Sequence, residues 1–404
     1  MILARLVLKS LRQHLLSTAV TAGATALATG LLLAVWMVRD QAQAAFTGMT
    51  GGVDAVLGAR GSKLQLVLNS LFHVDTSPGN LKWEDYEEIA RHPAVALALP
   101  VAVGDNYRGF RIVGTLPEKL AELEWTSGQR LTVRPPGRMF EPTLREAVVG
   151  SFAAAKLGLK RGDVFQPYHG LNYTPQSYQH EEEYVVVGIL APSNTPADRV
   201  IWIPLAGLQK MGGHDPAAAD EISAVLLKFK ADNPLTARQL DSLYNKQGNR
   251  LTFAWPIAQV VAQLFDRLAW LDRVLALVAY LVVAIAAGSI LASIYNSMNE
   301  RRREIAILRA LGARRRTVFG AVVLESAAIA GIGAMIGFAV YAAVFGIAGS
   351  ILRAQTGVVL DPLAWHPVLV LAPLGIVALG ALAGVVPAWK AYRTDVADNL
   401  TPHS

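Results

Sequence analysis

The sequence predicts an α-helical membrane protein with four transmembrane helices plus a large α+β extracytoplasmic domain inserted between helices 1 and 2. Three observations carry that prediction. The chain has 404 residues, of which 53% are hydrophobic and only 17% charged, a composition typical of membrane proteins. Four apolar runs are long enough to cross a bilayer, which takes about 20 residues. Between the first two runs, residues 39–267 have an ordinary soluble composition, with 23 Lys/Arg against 24 Asp/Glu.

In chain order, the first run is Leu15–Val38 and is uncharged. Arg5, Lys9 and Arg12 precede it and Ala42-Gln43-Ala44 follows, a layout shared with cleaved signal peptides. A signal-peptide core of about 7–15 residues is shorter than this run, so a retained span is expected. The second run, Val274–Tyr295, is also uncharged. The third, Val318–Ile347, contains one charge, Glu325, and the fourth is Val368–Val386. The expected segments are therefore 1–14 (N-terminal segment), 15–38 (span), 39–267 (external domain with helical stalks) and 268–298 (span and stalk). They continue as 299–316 (connecting helix), 318–347 (span), 348–367 (external loop), 368–387 (span) and 388–404 (C-terminal tail).

Orientation follows from the short flanks. Arg5, Lys9 and Arg12, the arginine-rich 299–316 segment, and Lys390 with Arg393 all fall on one side, which the positive-inside rule makes cytoplasmic. Both termini are then cytoplasmic. The loop 348–367 holds only Arg353 and Asp361 as charges and lies outside with the large domain. The net charge of +6 mostly reports Glu300–Arg316, where seven arginines face two glutamates, so it does not point to nucleic acid.

Within the spans, Gly333-Ala-Met-Ile-Gly337 and Gly380-Ala-Leu-Ala-Gly384 have the spacing that permits close helix approach. Glu325 is a carboxylate inside an apolar run. Such a group marks function, or lies near enough the boundary to snorkel or pair with an arginine of the loop.

The external region reads as α+β. Helices are expected at Trp83–His92, Ser151–Leu157 and Leu235–Gln247, the last opened by Asn233-Pro234. Strands are expected at Ala94–Val103, Phe110–Val113, Glu146–Val149, Tyr184–Leu190, Val200–Ile203 and Ser223–Phe229. Trp255–Leu271 is amphipathic and should continue into the second span as a stalk, and Arg39–Asp54 should extend the first in the same way. Asn194–Arg199 reads as a turn held by an Asx cap and an ion pair.

Enzymatic signatures are missing. No GxxxxGK[ST], GxSxG or HExxH occurs, and without cysteine there is no disulfide, thiolate ligand or thiol nucleophile. His169, His180 (followed by three glutamates) and His214 are the candidate metal ligands, since imidazole with carboxylate suits zinc. The same residues equally suit a solvated polar loop.

Asn299–Arg316 has high helix propensity. Arg302, Arg309 and Arg316 recur every seven residues on a polar face, with Ile305, Ile307, Leu308 and Leu311 between them. Attraction to anionic lipid explains the arginines. It does not require the apolar residues, which suit a groove in a partner protein.

At this point the sequence resembles a known family. The stretch from Asn299-Glu-Arg-Arg-Arg-Glu304 through Arg309-Ala-Leu-Gly312 is similar to the segment after the second span of MacB/FtsX-type (type VII, mechanotransmission) ABC transporter permeases. The likeness continues with Glu325, Gly331 and Gly337, with Pro387-Ala388-Trp389-Lys390-Ala391, and with Asn399-Leu400. Gly58-Ala-Arg-Gly-Ser-Lys63 and the residues after it resemble the start of the family's periplasmic core domain. The resemblance implies a permease of the bacterial inner membrane that is not itself an enzyme. ATP and Mg would be bound by a separate ABC ATPase present in two copies. A second permease copy would complete a homodimer, with membrane lipids around it and a periplasmic adaptor or substrate protein outside. Glu304, Ile307, Leu308, Arg309, Leu311 and Gly312 would form the helix coupled to the ATPase. The implied task is export or lipoprotein and lipid handling. The alternatives are an FtsX-like transducer that regulates a periplasmic enzyme without transport, and a metal-linked periplasmic function centred on the three histidines.

Overall fold

The computed structural model describes residues 2–48, 52–126, 129–230, 234–300 and 302–393. The chain divides into two units. The first comprises Met1–Gln41, Ala269–Gly349 and Leu360–Ser404, and the second Ala42–Leu268 and Ser350–Val359. Asn233 and Asn399-Leu400 lie outside the described residues.

The first unit is helical. Four stretches among the described residues are long and apolar enough to cross a membrane: Leu15–Phe46, Ala269–Met298, Arg315–Thr356 and Val368–Lys390. They belong to the long helices Leu15–Gly48, Ile257–Glu300, Arg315–Thr356 and Val368–Arg393, and a short helix, Ile2–Gln13, precedes them. Ala22, Ile290, Ile294, Met298, Val322, Ile329, Ala330 and Ala388 pack together at the centre. Two boundaries depart from expectation. The third helix does not stop at Ile347 but runs to Thr356, because no breaker occurs before Gly357. There φ is +80°, and the Gly357 N–H donates to Arg353 O at 2.9 Å, which closes the helix. The expected external loop 348–367 is therefore half helix. The fourth helix continues past Pro387 to Arg393.

The second unit is built on a mixed sheet, ten-stranded among the described residues. From one edge its strands run Leu251–Ala254, Ala55–Ala59, Ala224–Phe229, Val95–Tyr107, Phe110–Thr115, Ile201–Pro204, Glu146–Val149, Tyr184–Ile189 and Val164–Phe165. The short strand Tyr168–His169 pairs with the far end of Val95–Tyr107. The central hairpin turns on Arg108-Gly109, both at positive φ, with Tyr107 opposite Phe110. Two consecutive positive-φ residues match the twist of the flanking strands.

Helices cover the sheet where the apolar pattern switches period. Ser151–Leu157 ends on Gly158 in the left-handed conformation, φ +70°. Lys63–Ser70 starts from Ser62, whose side chain accepts the Gln65 N–H. Trp202, Tyr184, Phe72 and Phe253 are among the largest side chains fully enclosed in this unit. At the ends of two long helices, Phe46 packs on Phe72 (5.1 Å between ring centroids) and on Phe265 (6.0 Å). The Asn194–Arg199 turn forms with a different clasp from the expected ion pair. Asp198 accepts the Ser193 and Asn194 N–H groups, while Arg199 Nε donates to Ala354 O at 2.8 Å.

His73 is enclosed in the same core at positive φ (56°), edge-on to Trp202 at 5.7 Å. Neither ring nitrogen has a hydrogen-bond partner among the described residues. Burial, helped by the nearby positive charge of Arg111, lowers its pKa to about 3. The unfolded chain therefore binds a proton at His73 that the folded chain refuses between pH 6.5 and 3. The stability tied to the neutral ring is complete above pH 6.5 and declines as pH falls through that window. Thermal unfolding of the purified chain in detergent should lose up to about 1.4 kcal/mol per pH unit there from this group. His73→Gln should flatten the pH slope between 6.5 and 4.5, and an unchanged slope would show that His73 is not the group responsible.

Candidate functional site

The arginine-rich connection forms a short helix, Arg302–Ala310, between the second and third long helices. The Leu311 N–H reaches Ile307 O and the Gly312 N–H reaches Arg309 O, each at 3.0 Å. Gly312 then takes φ +98°, which breaks the helix before Arg315 starts the next one. Ile305 and Ala306 are buried against the helical unit. Ile307 is 44% and Leu311 80% exposed. Arg309 is half-buried. The side chains of Glu304 and Leu308 lie outside the described residues.

Both glycine pairs sit at helix contacts. A Cβ on Gly333 would come within 2.5 Å of Thr25 Cβ, and one on Gly337 within 2.7 Å of Thr29 Cβ, so the third helix presses on the first. Gly380 and Gly384 face the third helix, where a Cβ would meet Ala330 Cβ at 2.4 Å and Ser326 Oγ at 2.2 Å. Glu325 accepts a hydrogen bond from the Ser10 hydroxyl, which joins the third helix to the N-terminal one.

The last turns of the third helix lie in the second unit. There Arg353 stacks over the Phe152 ring at 5.4 Å, Ala354 O accepts from Arg199, and the Val359 N–H donates to Asn194 Oδ1 at 2.7 Å. Sequence patterns alone gave no hint of this clasp, because Arg353 and Ala354 fall where a loop was expected.

The three histidines come together around a fourth residue, Asp105. Asp105 Oδ1 lies 3.6 Å from His169 Nδ1, 3.4 Å from His180 Nε2 and 3.2 Å from His214 Nε2. One potential ligand atom from each residue lies within 4.8 Å of all the others. The imidazole centroids are 5.1–5.4 Å apart in pairs, with the ring planes steeply inclined to one another.

Local structure explains the convergence. Gly104 is the extra residue of a bulge between Val103 and Asp105 in the central strand, and such bulges re-aim the next side chain. Asp105 is directly opposite His169 in the strand register. The His180 N–H donates to Pro167 O and the His169 N–H to Tyr178 O, tying the histidine-bearing strands together. His214 follows Gly213, which takes φ +85°.

The rings are held from behind. His180 Nδ1 is 2.7 Å from Gly212 O, and His214 Nδ1 is 3.1 Å from Leu208 O. A carbonyl only accepts, so both Nδ1 atoms carry protons and both Nε2 atoms face Asp105. The Gly212 N–H is in turn held by Glu182 Oε1 at 2.9 Å. Burial by itself pushes the Asp105 carboxyl up, but the flanking His180 and His214 outweigh it and hold it below the ordinary carboxylate value. The hydrogen bond to Asp105 raises the His214 pKa against the effect of burial. Asp105 escaped the sequence reading because it sits inside an apolar strand. The one signal was an acid directly after glycine in a β-branched run.

Two units, one of membrane-spanning helices and one an α+β domain inserted after the first span, define a membrane permease with a periplasmic-type domain. Family comparison agrees: the MacB-like periplasmic core domain matches residues 18–243, and the FtsX-like permease C-terminal region matches residues 276–396. The first match covers more than half of the chain, and the chain belongs to the MacB/FtsX-type permease family. Among solved structures it is similar to the periplasmic region of MacB from Actinobacillus actinomycetemcomitans, at 12% identity over 53% of this chain and 94% of that one, TM-score 0.34. It is also similar to the extracellular domain of the noncanonic ABC-type transporter YknZ from Gram-positive bacteria, at 15% identity over 49% and 97%, TM-score 0.31. A comparison with curated proteins returned no match. The family is a permease component of ABC transporters, generally non-catalytic, residing in a bacterial membrane and associating with an ABC ATPase.

Gly380→Val should overpack the contact with Ala330 and lower stability by roughly 1–3 kcal/mol. Thermal unfolding in detergent reads this as a lowered midpoint. Gly288→Val, where nothing lies within 4 Å of the added Cβ, should leave the midpoint within a degree or two of the parent.

Proposed function

We propose that this chain is the permease subunit of an ATP-driven ABC transporter in which two copies pair with two separate ATPase subunits. The motion of the ATPases passes to the external domain, where it drives export or lipoprotein and lipid handling. Both termini and the helix Arg302–Ala310 face the cytoplasm. The observation that carries this reading is the short helix itself. Its buried residues Ile305 and Ala306 fix it to the helical unit, while Ile307 and Leu311 project outward among arginines. Exposed apolar residues framed by charge suit a groove in a partner protein, and the family supplies an ATPase as that partner.

The third helix is the supporting feature. It begins just after Gly312 and ends, 42 residues later, clasped by Arg199, Phe152 and Asn194. A displacement at its cytoplasmic start therefore has a continuous hydrogen-bonded rod along which to travel.

Leu311→Glu and Leu308→Glu should each reduce permease-stimulated ATP hydrolysis to the level of the isolated ATPase. Burial of one leucine contributes about 1.5–3 kcal/mol, which is ten-fold or more in affinity. Membrane yield should be unchanged. Full stimulation in both variants would overturn the assignment.

The absence of native cysteine permits a direct test of orientation. In intact spheroplasts, a membrane-impermeant maleimide should label Leu363→Cys and should label Leu311→Cys only after lysis. The reverse pattern would invert the proposed topology.

A further inference from the structure

We propose that Asp105, His169, His180 and His214 form a binding site for a divalent transition-metal ion, with Zn²⁺ the fitting member of the class. The site is independent of the ATPase reading, because it rests on the external domain alone.

Ligand spacing is the first ground. In a tetrahedron with 2.0–2.1 Å bonds the donor atoms stand about 3.3 Å apart. The three imidazole nitrogens are 3.2–3.6 Å from Asp105 Oδ1, so small rotations of the side chains complete the tetrahedron.

The unmet polar capacity is the second. His180 Nε2, 3.4 Å from Asp105 Oδ1, and the other carboxylate oxygen, Oδ2, are buried and have no hydrogen-bond partner among the described residues. An orphaned carboxylate oxygen and an orphaned imidazole nitrogen at one buried point are what a cation would satisfy.

The supporting shell is the third. Backbone carbonyls of Gly212 and Leu208 fix the tautomers of His180 and His214, as the outer partners of metal-bound imidazoles do.

Access is provided as well. His169 and His214 line a solvent-open cleft of about 330 Å³, together with Asn80, Gly213, Asp215 and Ser223. His169, with a half-exposed side chain, closes the site from that side. Three imidazoles with one carboxylate disfavour Mg²⁺ and Ca²⁺, which take oxygen ligands.

The test uses the full chain, purified in detergent and stripped with a chelator. Equilibrium dialysis with Zn²⁺ should give one ion per chain, undiminished by excess Mg²⁺. Substitution with Co²⁺ should produce the intense visible bands of a tetrahedral nitrogen and oxygen site. Zinc should raise the unfolding temperature, and a chelator should reverse the rise. His169→Ala and Asp105→Asn should weaken zinc binding at least ten-fold and abolish both the cobalt bands and the thermal shift. His169→Ala removes a half-exposed side chain, so its folding is secured and can be confirmed by circular dichroism. Stoichiometry below one ion per chain in the parent protein, or equal affinity in parent and His169→Ala, would overturn the proposal.

Discussion

The close approach of the first and third long helices is the constraint on which the membrane unit depends. In lipid, helices gain nothing from hiding apolar surface, so they associate through packing of small residues. Gly333 and Gly337 leave no room for a side chain, and Thr25 and Thr29 fill the space. Threonine is acceptable there only because its hydroxyl is already satisfied. The Thr21, Thr25 and Thr29 hydroxyls each donate to the carbonyl four residues earlier in their own helix, at 2.8 Å. The methyl groups are then free to face glycine. Ser326 does the same on the third helix, donating to Val322 O, and so can lie under Gly384. Polar residues thus serve as small apolar ones along both seams.

That packing holds the third helix while its ends engage different things. At 42 residues it is about 63 Å long, roughly twice the hydrocarbon thickness of a bilayer. Residues 311–314 separate its start from the short arginine-rich helix, and among them Gly312 takes a positive φ that costs glycine little. Its far end is held by side chains of the second unit. Arg199, Arg353 and Asn194 fix it through a hydrogen bond to a carbonyl, a cation–π stack and an amide contact.

Much of this was legible in the sequence. Apolar length located the four spans, and β-branched runs bounded by Gly, Pro or Asp marked the strand Glu146–Val149 and the strand expected at Phe110–Val113, which runs on to Thr115. The end of the third helix was not, because hydropathy marks where a span leaves lipid and not where a helix stops. Only Gly357 marks that stop. Ala55–Ala59 and Leu251–Ala254 were missed as well. Both are short, and they pair with each other across almost the whole sequence of the second unit. No local pattern encodes such a partner. The histidines were visible as residue types. Their meeting point was not, since it is set by the Gly104 bulge and by the pairing of Tyr168–His169 with the central strand.

Asp105 is fully enclosed, as is His180, whose outer nitrogen is committed to Gly212 O. His180 Nε2 stands 3.4 Å from Asp105 Oδ1. Asp105 Oδ2 and His180 Nε2 have no hydrogen-bond partner among the described residues. A single doubly charged ion would meet all four donors at once. The ligands come from the central strand, from the Tyr168–His169 strand, from the segment before Tyr184–Ile189 and from the turn after Leu205–Gln209. Such an ion would cross-link segments that lie far apart in the sequence. It would stiffen the side of the domain that carries the cleft and leave the Arg199 clasp to other interactions.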